Sequence, residues 1–436
     1  MKIYNYPSAS AEKKLAGILN RSLTIRKKDM AAVDRILEDV RKNGDSALIR
    51  YTRKFDSPTL APESLQVSRQ EMEAANKQVD KPFTRSLNRA IRQIRSFHTQ
   101  QLPLSWIDKS RPGTMLGQLV NPVAAAGIYV PGGQGGKTPL VSSVLMCGLP
   151  AKIAGVEKVV MVTPPTRDGK VDPHLLVAAQ KVGVDAVYKT GSAWAIAALA
   201  YGTGTIPRVD VIAGPGNIWV TIAKKLVAGA VGIDMIAGPS EILIIADHTA
   251  DPEFVAADLL SQAEHDPLSS SVLVTTSSGL AQQTAKAAER RLKGLARREI
   301  ARESLDNFGA ILVVPAIDDA IDLSNRIAPE HLELQIDSPF DHISRVRNAG
   351  AVFMGHYTPE PVGDYIAGPN HVLPTAGTAR FSSALSVENF IKKTSLIHYS
   401  KEAFEKEAGD IIHLAGIEGL GAHAESIAVR LETDKK

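Results

Sequence analysis

The sequence predicts an α/β fold: two α/β lobes with parallel-sheet cores plus small helical N-terminal and C-terminal segments. Three observations carry this. Short, continuous Val/Ile runs recur between about residues 119 and 247, most of them ending in a glycine turn. Helix-length stretches of small residues separate them, which is the texture of βαβ units whose strands are covered on both faces. The same alternation then repeats from about residue 251 to residue 354.

Taken in chain order, the first hundred residues read as helical. Residues 28–55 and 69–101 place apolar side chains at three- and four-residue spacing among Lys, Arg and Glu. Five buried strands follow in Gly127-Ile-Tyr-Val-Pro-Gly, Lys158-Val-Val-Met-Val-Thr, Ala186-Val-Tyr, Val209-Asp-Val-Ile-Ala-Gly and Ile233-Asp-Met-Ile-Ala-Gly. A helix is expected over 251–264, a strand at Ser271-Val-Leu-Val-Thr and a charged helix over 281–298. Further strands are expected at Ala310-Ile-Leu-Val-Val and Ala351-Val-Phe-Met. From about Ser386 the tail reads as helices ending in a polar Glu-Thr-Asp-Lys-Lys.

Composition narrows the function. With 436 residues the chain is long enough for roughly three domains at about 150 residues each. Its 50 Lys and Arg against 47 Asp and Glu leave a net charge of +3, which offers no basic footprint for nucleic acid. Hydrophobic residues at 44% and charged residues at 22% fit a folded globular protein and argue against disorder. One cysteine, Cys147, excludes an intramolecular disulfide framework and a thiolate metal cluster. Any metal must therefore use His, carboxylate or amide ligands, and a reducing cytoplasmic setting is expected. The N-terminus shows no continuous apolar segment, and no run reaches the roughly 18 apolar residues of a membrane span.

Several segments carry polar residues that could do chemistry. The run from Gly127 through Gly132 to Gly136-Lys137-Thr138 resembles a phosphate loop but encloses three residues between Gly132 and Gly136 where four are needed. The dinucleotide fingerprint also fails, with Thr138 after Gly133-Gln-Gly135 and Trp219 after Gly214-Pro-Gly216 where a third glycine belongs. Both runs can still bring backbone amides to a pyrophosphate, or serve as plain strand-to-helix turns. Gln262 and His265, three apart at a helix end, can face one point. They suit zinc or its neighbours, although a surface polar cluster is the commoner reading of such a pair. Glu330-His331 lies between Pro329 and a strand-like Leu332-Glu-Leu, where a general base is commonly presented. Asp364 and His371 sit in a low-charge loop with two glycines and a proline, and Glu418 and His423 flank Gly419-Leu-Gly421.

Taken together these segments resemble the histidinol dehydrogenase family. The likeness runs from about Val123 to the C-terminus, through Gly127-Ile-Tyr-Val-Pro-Gly-Gly, Gly214-Pro-Gly-Asn and Ile233-Asp-Met-Ile-Ala-Gly-Pro-Ser-Glu. It continues through Leu260-Ser-Gln-Ala-Glu-His, Ala328-Pro-Glu-His-Leu-Glu and Gly363-Asp-Tyr-Ile-Ala-Gly-Pro-Asn-His-Val-Leu-Pro-Thr. The resemblance implies two Rossmann-like lobes: residues 26–127 with 240–385 as a first lobe with the catalytic and zinc residues, and 128–239 as a second, NAD-binding lobe. Residues 1–25 would form an N-terminal helical arm, and 386–436 a helical segment that forms a homodimer by completing the partner's site.

It further implies one zinc per subunit on Gln262, His265, Asp364 and His423, with Glu330 and His331 as the catalytic pair. Substrate contacts carry over to Ser240, His371 and Glu418, alongside Gln262, His265, His331, Asp364 and His423. NAD contacts carry over to Tyr129 and Asn217. A third NAD position, usually glutamine, is Trp194 here; it could stack on the cofactor but cannot copy an amide acceptor. The implied activity is the NAD-dependent, four-electron oxidation of L-histidinol to L-histidine through L-histidinaldehyde, the last two steps of histidine biosynthesis. A relative acting on another short polar alcohol, a nucleoside-triphosphate enzyme and a non-catalytic zinc or nucleotide-binding protein are the competing readings. Intact Glu330 and His331 argue against the last of these, and the loop spacing against the second.

Overall fold

The computed structural model describes residues 1–21, 26–132 and 138–432, so Gly133, Gly135, Gly136 and Lys137 lie outside the described residues. The chain divides into two compact units, one of Met1–Gln101 with Val123–Phe390, the other of Leu102–Pro122 with Ile391–Lys436.

The larger unit holds two sheets whose strands all pair in parallel. One contains β4 (Ala125–Tyr129), β5 (Lys158–Thr163), β6 (Ala186–Lys189), β7 (Val211–Ala213) and β8 (Gly232–Ile233), in spatial order β6-β5-β4-β7-β8. The other contains β1 (Ile3–Asn5), β9 (Glu241–Ala246), β10 (Ser270–Thr275), β11 (Gly309–Val313), β12 (His331–Gln335) and β13 (Ala351–Met354), in order β1-β11-β10-β9-β12-β13. In each, the chain steps outward from a central strand, β4 or β9, and then returns to its other side. Each sheet is therefore doubly wound, with a switch point between β4 and β7 or between β9 and β12. Every residue of β9 and β10 is buried, as expected where helices cover both faces.

The α/β reading holds, but the buried strand expected at Ile233-Asp-Met-Ile-Ala-Gly shrinks to the unburied pair Gly232–Ile233, the central strand Glu241–Ala246 was not expected, and three further details depart from the sequence expectation. The N-terminal arm contributes a strand as well as a helix, because Ile3-Tyr-Asn pairs with Ile311-Leu-Val at the edge of the six-stranded sheet. The helix Lys27–Phe55, kinked where Gly44 takes φ +52°, is expected in one lobe with residues 240–385. It instead buries Val33, Leu37, Val40 and Leu48 in one cluster with Trp194, Ile196 and Leu199 of the five-stranded lobe. The tail is not wholly helical, since β14 (Ile391–Tyr399) pairs antiparallel with β3 (Thr114–Pro122). In that smaller unit β2 (Trp106–Asp108) completes a three-stranded sheet, followed by the helices Lys401–Ile417 and Gly421–Glu432. Its lysine-rich Ile391-Lys-Lys-Thr-Ser strand is mostly exposed, which is why no apolar alternation announced it. Among the described residues no helix is long and apolar enough to cross a membrane.

Candidate active site

Glu330 and His331 stand where β9 and β12 adjoin, at the amino-terminal ends of those two strands. The helix Ile317–Ile327 stops at Ala328, which takes a left-handed φ of +54°, and Pro329 cannot continue it. This turn delivers Glu330 to the start of β12, beside the start of β9, with His331 in register with Ile242. Glu241 and Glu330 then interlock. The Glu241 N–H donates to Glu330 Oε2 at 2.8 Å, and the Glu330 N–H donates to Glu241 Oε2 at 3.3 Å. Arg21 donates to Glu241 Oε1 at 2.7 Å, a pair with side chains only 5% and 6% exposed. The same Oε1 accepts the Ala376 N–H at 2.9 Å.

His331 Nδ1 lies 2.9 Å from the Glu241 carbonyl oxygen, to which it donates, and this leaves Nε2 as the free lone pair. Burial holds His331 below the ordinary imidazole range, which favours the neutral ring. Burial pushes the Glu330 carboxyl well above its usual range, and the carboxylates of Glu241, Glu360 and Asp364 add to the effect.

The polar character continues along β12. Alternation turns His331, Glu333 and Gln335 to one face while Leu332 and Leu334 enter the hydrophobic core on the other. All three polar residues are buried. Gln335 Nε2 donates to Glu333 at 2.8 Å and to Asp258 at 2.7 Å, and the Glu360 N–H donates to Glu333 at 2.9 Å. Glu360 was not singled out from the sequence, although it precedes Asp364 by one helical turn. One ligand atom each from His331, Glu360 and Asp364 lies within 4.8 Å of the others.

The other expected residues fall as follows. Gln262, on the helix Pro252–Ala263, is 1% exposed, and its Oε1 is buried with no hydrogen-bond partner. His265, one residue beyond that helix's cap, is exposed at its surface yet near enough to His331 and His371 to disfavour their protonation. Burial, then the charge of Glu360, raises Asp364 to about 8. His371 Nδ1 lies 3.9 Å from Asp364 Oδ1, and burial, with His331, lowers its pKa to about 4. Phe353, Asp364 and His371 line a cavity of about 190 Å³. Ser240 directly precedes Glu241, and its carbonyl accepts from the Ser270 N–H at 3.0 Å. Glu418 and His423 belong to the smaller unit, both exposed, around the end of the helix Lys401–Ile417.

This cluster fits a divalent cation. Within it, Arg21 is the only cation bonded to the carboxylates Glu241, Glu330, Glu360 and Asp364 among the described residues, and the Gln262 oxygen, a suitable metal donor, is left unused.

The three positions expected to bind NAD surround the carboxyl ends of β4, β6 and β7, the crevice where doubly wound sheets bind nucleotides. The Tyr129 hydroxyl accepts the Ser192 N–H at 3.1 Å, and burial raises its pKa to about 12. Gly214, at φ +124°, is obligatory, because a Cβ would collide with the Tyr129 carbonyl oxygen. A buried pair, Lys224 with Asp234, grips that turn from both sides. Asp234 accepts the Gly214 N–H at 2.8 Å, and Lys224 donates to its carbonyl at 3.0 Å. The next helix, Ile218–Val227, is capped by Asn217, whose Oδ1 accepts from the N–H groups of Trp219 and Val220. Trp194 is 5% exposed, and its ring stacks on Tyr51 at 5.7 Å and on Phe55 at 5.3 Å.

Two doubly wound lobes, one with a glycine-turn crevice and one with a buried imidazole–carboxyl pair, place the protein among the two-lobed α/β oxidoreductases. The sequence profile of the histidinol dehydrogenase family matches residues 19–431, and the chain belongs to that family. The match extends well upstream of the region whose motifs carried the resemblance. Histidinol dehydrogenase of Desulfotalea psychrophila is 55% identical over 98% of both chains. That of Carboxydothermus hydrogenoformans is 53% identical over 92% of this chain and 94% of its own. The crystal structure of histidinol dehydrogenase from Elizabethkingia anophelis aligns with a TM-score of 0.93 at 38% identity, covering 100% of this chain and 99% of that one.

Proposed function

We propose that the protein oxidises L-histidinol to L-histidine through L-histidinaldehyde, using NAD and one zinc ion per subunit. The observation that carries this reading is the interlock of Glu241 with Glu330 and His331. It leaves a neutral imidazole with a free Nε2 beside a buried carboxyl and the acid cluster of Asp364. Gln262, His265 and Asp364, with His423 of the partner subunit, would hold the metal. Bound zinc would orient the amino and imidazole nitrogens of the substrate, and two NAD molecules in succession would each accept one hydride.

The chain's own groups handle protons and water. His331 Nε2 takes the hydroxyl proton as the alcohol is oxidised, and its Nδ1–H bond to Glu241 keeps the ring aimed while its charge changes. Glu330, a stronger base in its buried setting than an exposed carboxylate, takes a proton from the water that hydrates the aldehyde. Ser240, His371 and Glu418 would contact the substrate, with Glu418 pairing with its ammonium group. Tyr129, Trp194 and Asn217 would border the dinucleotide.

We further read the working unit as a homodimer in which Glu418 and His423 of each chain complete the partner's site. Within the smaller unit, Leu414, Ile417 and Leu420 beside these residues are 61%, 70% and 42% exposed, an apolar surface suited to a second copy. The test is NADH formation with L-histidinol before and after chelation. Two NADH per histidinol and loss of turnover on chelation are expected. One NADH with accumulating aldehyde would refute the two-step reading.

A further inference from the structure

The crevice of the five-stranded lobe lacks one feature that its topology calls for. In a doubly wound sheet the adenosine ribose lies at the carboxyl end of the strand beside the central one, where an acid accepts a hydrogen bond from its 2′-hydroxyl. That strand here is β5, and it ends in Thr163-Pro164-Pro165. The nearest acid on the following loop, Asp168, is exposed and already bonded to Thr166 at 2.6 Å and to Lys170 at 3.1 Å.

A carboxylate reaches the same region from outside the sheet. Asp56 ends the helix Lys27–Phe55, and that end is pinned at two points. The Ser57 hydroxyl donates to the Arg167 carbonyl on the loop after β5 at 3.2 Å, and Thr52 Oγ1 meets Thr190 Oγ1, just after β6, at 3.1 Å. Asp56 Oδ2 is buried with no hydrogen-bond partner, and so are Thr163 Oγ1 and Trp194 Nε1. Buried polar atoms are nearly always satisfied, so an open carboxylate oxygen at this helix end, with Thr163 Oγ1 open at the end of β5 and Trp194 stacked on the neighbouring Phe55, points to a polar ligand. Burial lifts the Asp56 carboxyl to about 7, and its charge in turn raises Tyr129.

Resting on the NAD reading above, we propose that Asp56 is a specificity-determining residue: it accepts hydrogen bonds from the adenosine ribose hydroxyls and thereby selects NAD over NADP. A 2′-phosphate would remove the donor and set a second anion against a half-buried carboxylate. Arg167, exposed on the adjoining loop, is the cation a 2′-phosphate would need, and its recorded bond to this helix end is made by its carbonyl.

The test is calorimetric titration of the full-length protein, wild type and Asp56→Ala, with NAD, 2′-deoxy-NAD and NADP, without turnover. Wild type should prefer NAD over each analogue by about 10-fold or more, the value of a hydrogen bond to a charged group. Asp56→Ala should bind NAD and 2′-deoxy-NAD within about 2-fold of each other, a change a merely structural residue would not produce. If Asp56→Ala fails to fold, Asp56→Asn keeps the side-chain shape and should weaken NAD while narrowing the gap to NADP. Unchanged discrimination in the variant that folds would overturn the assignment and leave the NAD reading intact. Wild-type protein that binds neither NAD nor NADP would overturn both.

Discussion

Glu241 and Glu330, 89 residues apart, exchange hydrogen bonds so that each backbone N–H is bound by the other's carboxyl group. The exchange locks the starts of β9 and β12 together and fixes the Nδ1–H of His331 on the Glu241 carbonyl. Glu241 is thus a positioning residue for the proposed catalytic pair, Glu330 and His331. Arg21 supplies the compensating charge that makes its burial tolerable.

Removing one member of that pair exposes its cost. Arg21→Ala should lower unfolding free energy by about 3 kcal/mol, since it strands a buried carboxylate. Glu241→Gln in the same background should recover part of the loss. Urea denaturation of the single and double variants measures this, and a loss below about 0.5 kcal/mol for Arg21→Ala would show that the pair is not coupled to the fold.

His331→Asn should reduce oxidation of both histidinol and histidinal by about 10²–10⁴-fold, the usual range for loss of a general base. Glu330→Gln should chiefly slow histidinal oxidation, because its proposed role is to activate water. Equal losses on the two substrates for Glu330→Gln would reject that division of labour.

Asp364→Asn and Gln262→Ala should lower zinc content per chain, measured by elemental analysis after dialysis. Chelation of the wild type should abolish turnover, and added zinc should restore it. Full zinc occupancy in Asp364→Asn would remove Asp364 from the ligand set.

Asp56 also makes stability depend on pH. Its carboxyl is raised by burial to about 7 in the folded chain, against about 3.9 when unfolded. The folded state therefore holds a proton that the unfolded state releases. Its contribution is fully present below about pH 4 and is lost as pH rises through about 7. Asp56→Asn should gain stability relative to wild type across that window, on the order of 2 kcal/mol by pH 8 after allowing for partial exposure. Parallel melting curves that never diverge between pH 4 and 8 would contradict it.

Co-refolding His331→Asn with His423→Asn tests the shared site. If the C-terminal segment completes the partner's site, a heterodimer regains one site with both histidines, and activity returns. Heterodimers shown to have formed but without activity would mean that each chain is self-contained.

Local sequence determined most of the parallel strands, because runs such as Lys158-Val-Val-Met-Val-Thr are apolar on both faces and bounded by turns. It also marked Gln262 with His265, Glu330 with His331, and Asp364, since each pattern is short enough to read within one turn or strand start. Tertiary structure alone decided what those residues meet. Glu241 opens an otherwise apolar, buried strand and looks like a misplaced charge until Arg21 and Glu330 are brought to it from 220 and 89 residues away. Glu360, Asp56 and the packing of the helix Lys27–Phe55 share that character, as does the exposed strand Ile391–Tyr399, whose partner is Thr114–Pro122. Hydrophobic periodicity reports which face of an element leaves water, but not which distant polar group waits there. That pairing is set only when chain crossings bring the two strand ends into hydrogen-bonding range.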